Sequence, residues 1–143
     1  MKKYLLLFIV GLVMVLTQAC SSGSDSTPTP QGGTTTNQDL LKTWKTSSVL
    51  EGNLDITSEF SNYRLTFAES GSDKTFTLVD RQGTSVSGTW SLSTDQTTIT
   101  LNVTGGSSIT LSGVSISANE LKYTADEAGK AGQVTLSFTL VPA

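Results

Sequence analysis

From Asp39 onward, apolar side chains recur at every second position with Ser or Thr between them, the period of a strand that buries one face. Tyr63, Leu65 and Phe67 form one such row, followed by Phe76 with Leu78, and by Val86, Trp90 and Leu92 with Gly88 on the same side. Ile99, Leu101 and Val103 come next, then Ile109 and Leu111, Leu121 and Tyr123, and finally Val134, Leu136, Phe138 and Leu140. With Trp44 opening the series, the pattern predicts eight strands. Polar and Gly-containing breaks separate them at Glu69 to Asp73, Arg81 to Gly83, Thr94 to Gln96, Gly105-Gly106 and Ala128 to Gly132. Breaks this short imply antiparallel hairpins, because a parallel crossover needs a dozen residues or more. At Gly113 the apolar phase slips from Ile109 and Leu111 to Val114 and Ile116, which predicts a bulge or kink. No stretch of helical period is long enough for a major helix. Asp55 to Phe60 is predicted to form one short turn capped by Asp55 or Thr57.

An all-β domain with one apolar and one Thr-rich face on every strand has two solutions, a closed barrel or a two-sheet immunoglobulin-like β-sandwich. Periodicity leaves both open. Pairing of all sequential neighbours, with the last strand closing on the first, would mark the barrel, and Greek-key crossings the sandwich. In either fold Trp44, Tyr63, Phe67, Phe76, Trp90, Tyr123 and Phe138 point inward. They are the candidate ligand-binding residues, lining a cup for a small apolar molecule. The competing expectation is that they fill the core, since eight strands enclose a space just wide enough for their own side chains. The second weighs more for a domain, residues 39–143, without a disulfide.

Ahead of this domain, Lys2 and Lys3 precede the apolar run Leu5 to Leu16 and the small residue Ala19 before Cys20, which predicts a secretory leader over residues 1–19. Twelve helical residues rise about 18 Å against a hydrocarbon core of about 30 Å, so a permanent span is not expected. The stretch Leu16-Thr17-Gln18-Ala19-Cys20 resembles the lipobox of bacterial lipoproteins, with Leu16 four residues before the cysteine where the usual spacing is three. The resemblance implies lipid attachment at Cys20 by two or three acyl chains, a membrane anchor without a transmembrane helix. Ser21 after the thiol, instead of aspartate, resembles the outer-membrane sorting signal. Ser21 to Gln38 carries no aliphatic or aromatic side chain, so residues 20–38 are expected to be a lipidated cysteine and a disordered linker. Asp25-Ser26-Thr27 resembles a short O-glycosylation signal, although plain linker chemistry accounts for it.

Composition removes most chemistry. There is no histidine and a single cysteine among 143 residues, so a Ser/His/Asp triad, a Cys/His pair and a histidine metal ligand are all excluded. Serine and threonine number 20 and 23, a mix that favours strands and polar loops. Loss of Lys2 and Lys3 with the leader would move the net charge from −3 to −5, against a nucleic-acid surface. Glu51, Asn53, Asp55, Thr57 and Glu59 place an oxygen at every second position, but an EF-hand register from Glu51 puts Ile56 and Asn62 where glycine and glutamate are required. No metal, cofactor or catalytic residue is expected. Asp126 and Glu127 read as ordinary acids before a Gly-rich turn, and Asn102-Val103-Thr104 as an idle sequon.

Two segments carry a family resemblance. Leu40-Leu41-Lys42-Thr43-Trp44 looks like the opening strand of lipocalin-like, or calycin, barrels, with Lys42 where those barrels have a glycine. Ser87-Gly88-Thr89-Trp90-Ser91-Leu92, followed by Thr97 to Leu101, resembles the mid-domain hairpin of small lipocalin-like lipoproteins from Bacteroidota-type bacteria. The resemblance implies an antiparallel eight-stranded up-and-down barrel whose interior holds a small apolar ligand. The expectation is thus a monomeric, non-catalytic lipoprotein, anchored through Cys20 to a bacterial outer membrane. The alternative is a surface module with a packed core that contacts glycan or protein.

Overall fold

The computed structural model describes residues 37–129 and 132–143. The predicted leader, Cys20 and nearly all of the predicted linker lie outside the described residues. The alternating rows become strands, each with its apolar parity inside. After a four-residue helical turn, α1 (Asn37–Leu40), come β1 (Thr43–Glu51), the short β2 (Leu54–Asp55) and a 3-10 turn (Thr57–Phe60). Then follow β3 (Arg64–Ser70), β4 (Asp73–Val79), β5 (Ser85–Leu92), β6 (Thr98–Val103), β7 (Ile109–Ile116), β8 (Leu121–Gly129) and β9 (Gly132–Pro142).

From β3 to β9 every strand pairs antiparallel with the next, and β1 pairs with β3 on one side and β9 on the other. The closing ladder runs from Trp44 opposite Pro142 to Glu51 opposite Leu136. Eight strands therefore form a closed antiparallel barrel, with β2 as an extra strand on β1, and the sandwich alternative is ruled out. Closure removes the unpaired edges that an open sheet of Thr-rich strands would present.

Two bulges reconcile the sequence with a single interior. In β1 the register shifts between Thr46 and Ser48, so Trp44 and Val49, of opposite parity, are both fully buried. In β7 the shift lies between Ser112 and Ser115, where Gly113 adopts a φ of 60° and Leu111 and Val114 both face inward. This is the predicted slip. Gly88 has a different reason to be glycine: a Cβ there would stand 1.9 Å from the Asn102 carbonyl oxygen and 3.0 Å from the Phe76 ring. The bare backbone lets β5 and β6 approach while Phe76 lies across them.

The short turn forms, but without the expected cap: Ile56 stands at its N-cap position and no side chain caps it. Asp55 Oδ1 accepts the Thr57 amide at 2.9 Å, the Thr57 side chain and then its amide hold the Asp55 carboxyl below its ordinary value, and the turn delivers Phe60 to the core with no exposed surface. Among the described residues the buried set is wholly apolar or aromatic, and no helix is long and apolar enough to cross a membrane.

Candidate functional site

The barrel ends differ. At one, α1 places Leu40 against Trp44, and both are fully buried. The Trp44 indole N–H donates to the Leu40 carbonyl at 3.0 Å. Lys42 sits over the indole ring at 5.1 Å and donates to the Ala118 carbonyl, in the turn between β7 and β8, at 2.8 Å. Lys42 thus straps this end shut with a cation–π contact and one hydrogen bond. Just inside, Phe67 and Trp90 meet edge to face at 5.4 Å.

Towards the opposite end the interior is not filled. A cavity of about 270 Å³ lies where β4 turns into β5, β6 into β7 and β8 runs out. Its walls are Leu78, Val86, Leu101, Ile109, Leu111 and Ala125, with the Tyr63 and Phe138 rings at one side and Asp80, Asp126 and Glu127 at the mouth. Phe138 stacks against both Tyr63 and Tyr123, with ring centroids 5.3 and 5.0 Å away, and Phe60 meets Phe138 edge-on at 5.4 Å. The two phenol oxygens are 2.7 Å apart. One hydroxyl donates to the other, and among the described residues no protein acceptor takes the second proton. Burial pushes both phenols well above the ordinary tyrosine value, so both stay neutral across the working pH range.

Glu127 continues the inward parity of Leu121, Tyr123 and Ala125. Burial raises its carboxyl above the ordinary value; Arg81 pulls it down and Asp80 adds to the rise. Arg81 lies 3.6 Å from Glu127 and 3.5 Å from Glu59, and its guanidinium covers the Phe60 ring at 5.5 Å. Asp80 continues the inward parity of Phe76 and Leu78, and its carboxylate accepts the Thr84 amide at 2.8 Å.

All seven predicted inward residues are buried. Tyr63 and Phe138 border the cavity, while Trp44, Phe67, Phe76, Trp90 and Tyr123 lie elsewhere in the interior. Asp126 and Glu127 do precede the Gly-rich turn, within β8 and paired with Thr135 and Val134, but the expectation that they are ordinary acids is corrected for Glu127, which reaches the cavity. Strand parity, carried two residues past Ala125, was the signal that could have found it. The oxygen-bearing row from Glu51 to Glu59 is split between β1, β2 and the 3-10 turn, and among the described residues no three acids and thiols group to hold a metal ion. A second hollow of about 340 Å³, outside the barrel, is walled by Ser72, Asp73, Lys74, Thr75, Thr89 and Trp90. One apolar residue among six makes it a poor site for an apolar ligand.

The comparison with known families agrees with this architecture: residues 40–123 match the family described as Lipocalin-like domain. The chain belongs to this family. Among solved structures, the lipocalin-like chain is similar to zebrafish ileal bile acid-binding protein in complex with cholic acid, at 17% identity and a TM-score of 0.42, covering 73% of this chain and 99% of that one. No curated protein matches it.

Proposed function

We propose that this lipocalin-like domain is a non-catalytic binding module that takes a small apolar molecule into the cavity at its mouth end. The observation that carries the reading is the apolar wall formed by Leu78, Val86, Leu101, Ile109 and Leu111 around about 270 Å³. At about 30 Å³ per water that space is worth roughly nine waters, which suits a short-chain or single-ring ligand. Family membership supports the reading, because a barrel mouth is where such ligands enter. Titration of the full chain with 1-octanol, followed by calorimetry, tests it. Saturable binding that Ile109→Trp abolishes without loss of the folded baseline is expected, and absence of saturable binding by the wild type overturns the proposal. Neither Trp44 nor Trp90 borders the cavity, so tyrosine and not tryptophan emission should respond.

The proposal extends to location: lipid on Cys20 anchors the chain to a bacterial outer membrane. It rests on the leader pattern and on the lone cysteine directly after Ala19. Labelled palmitate should enter the wild type and not Cys20→Ala, and equal membrane partition of the two chains would overturn it. A surface module with a packed core is the second reading, favoured by the five aromatic residues that sit away from the cavity. Failure of every small ligand, with glycan or protein binding intact, would select it.

A further inference from the structure

An apolar cavity whose lining carries only one sign of charge selects among ligands that fit it equally well. Here the charged side chains that border the space are Asp80, Asp126 and Glu127, and no basic side chain is among the lining. Asp126 is exposed and its carboxylate accepts the Thr135 hydroxyl, so Asp80 and Glu127, on the inward parity of β4 and β8, set the field inside the mouth. Arg81 is the nearby cation, and it is held by Glu59 as well as Glu127.

The same cavity offers π faces. Tyr63 and Phe138 border it, and both belong to the stacked trio with Tyr123. Aromatic faces together with a carboxylate in a partly dry space are the chemistry that recognises ammonium groups, through cation–π attraction and charge-assisted hydrogen bonds. Arg81 shows the principle working at the rim, where its guanidinium lies over Phe60 and against two carboxylates. A ligand carboxylate, in contrast, would enter beside Glu127 and Asp80 with like charge, and burial already raises the Glu127 carboxyl.

We infer that the cavity takes a small cationic amphiphile, an amine with a short apolar body, whose ammonium group sits between Glu127, Asp80 and the rings of Tyr63 and Phe138. This rests on the ligand-binding reading above and adds the ligand's charge to it.

The test compares octylamine, 1-octanol and octanoate on the full chain at pH 7, by calorimetry at low and high salt. Octylammonium should bind about tenfold or more tighter than octanoate, with the gap narrowing as salt screens the mouth. Glu127→Gln and Asp80→Asn should each weaken octylammonium severalfold and by more than they weaken 1-octanol; the asparagine keeps an oxygen for the Thr84 amide. Binding of 1-octanol with octanoate equal to or tighter than octylammonium overturns the inference and leaves the binding function standing. Equal loss of all three ligands in both variants also overturns it, because those acids would then shape the site without selecting charge. Failure of all three ligands on the wild type removes both proposals.

Discussion

Where β1 begins, Trp44 is fully buried, its indole proton goes to the Leu40 carbonyl, and Lys42 closes over its ring. Where β4 turns into β5, Val86 and Ile109 are only partly buried, Glu127 sits half-buried above its ordinary titration range, and a cavity of about 270 Å³ remains. Both ends are built from the same alternating strands. What separates them is what enters from outside the strands: α1 supplies Leu40 as a stopper at the first end, while at the second the 3-10 turn supplies Phe60 to the side of the barrel, against Tyr63 and Phe138. A barrel this small can afford a hollow at one end because the other is packed to completion.

The contrast breaks most visibly at Trp44. Trp44→Ala should destabilise by about 3 to 5 kcal/mol, the cost of emptying a large buried aromatic site, read as a fall in the urea midpoint with unchanged slope. Ile109→Ala, at the mouth, should cost about 1 kcal/mol or less, because a half-buried side chain forfeits part of its transfer energy and enlarges a space already open. Equal losses at the two positions would mean that the ends are not differently packed.

Gly88→Ala probes the wall between the two ends. The added methyl would overlap the Asn102 carbonyl, a backbone atom that moves only if β5 and β6 separate. The expected loss is about 1 to 3 kcal/mol, with exchange protection falling first in the β5–β6 ladder. An unchanged midpoint would show that the strands can part without disturbing Phe76.

How much of this was legible before any coordinates follows from which contacts are local. The eight barrel strands, the short turn at Thr57–Phe60 and the slip at Gly113 all follow from alternation and glycine placement, because each is decided within a few residues. Barrel against sandwich was not decidable, since it depends on β1 meeting β9 from opposite ends of the domain. Val49 was missed because the bulge between Thr46 and Ser48 reverses its parity. The seven aromatic residues were legible as inward, but which of them border the cavity depends on their height along the barrel axis, set by strand stagger. Parity alone could not separate Tyr63 and Phe138 from Phe67 and Trp90. Glu127 was missed for the opposite reason: it stands just before a Gly-rich turn, where acids are commonplace, yet it continues the inward parity of Tyr123 and Ala125.

Glu127→Gln sharpens the comparison through pH. Burial and Asp80 raise the folded-state carboxyl above its unfolded value, against the pull of Arg81, and Glu59, Tyr63 and Tyr123 complete its surroundings. Above the raised value the group is ionised in both states, so the folded state bears the cost of a half-buried charge. Below the ordinary value it is neutral in both and the cost is absent. The glutamine variant should therefore be more stable than the wild type at neutral pH, and the gain should vanish as pH falls through the raised value towards 4.5. A gain that persists at pH 3 would place its origin outside this carboxyl. The same substitution is expected to weaken octylammonium, so stability and affinity should move in opposite directions at one residue.

The smallest expected effect lies on β1 between the two ends. Thr46 Oγ1 is buried and has no hydrogen-bond partner among the described residues, beside the bulge that turns Val49 inward. A hydroxyl desolvated without a partner is a net cost, and its replacement by a methyl of similar shape removes the cost without opening a void. Thr46→Val should accordingly be neutral or stabilising by up to about 1 kcal/mol in urea melts. Destabilisation instead would mean that a bound water serves this oxygen. Water at that depth would carry the polar character of the mouth down the β1 wall, and the division between a sealed half and a receptive half would have to be drawn nearer to Trp44.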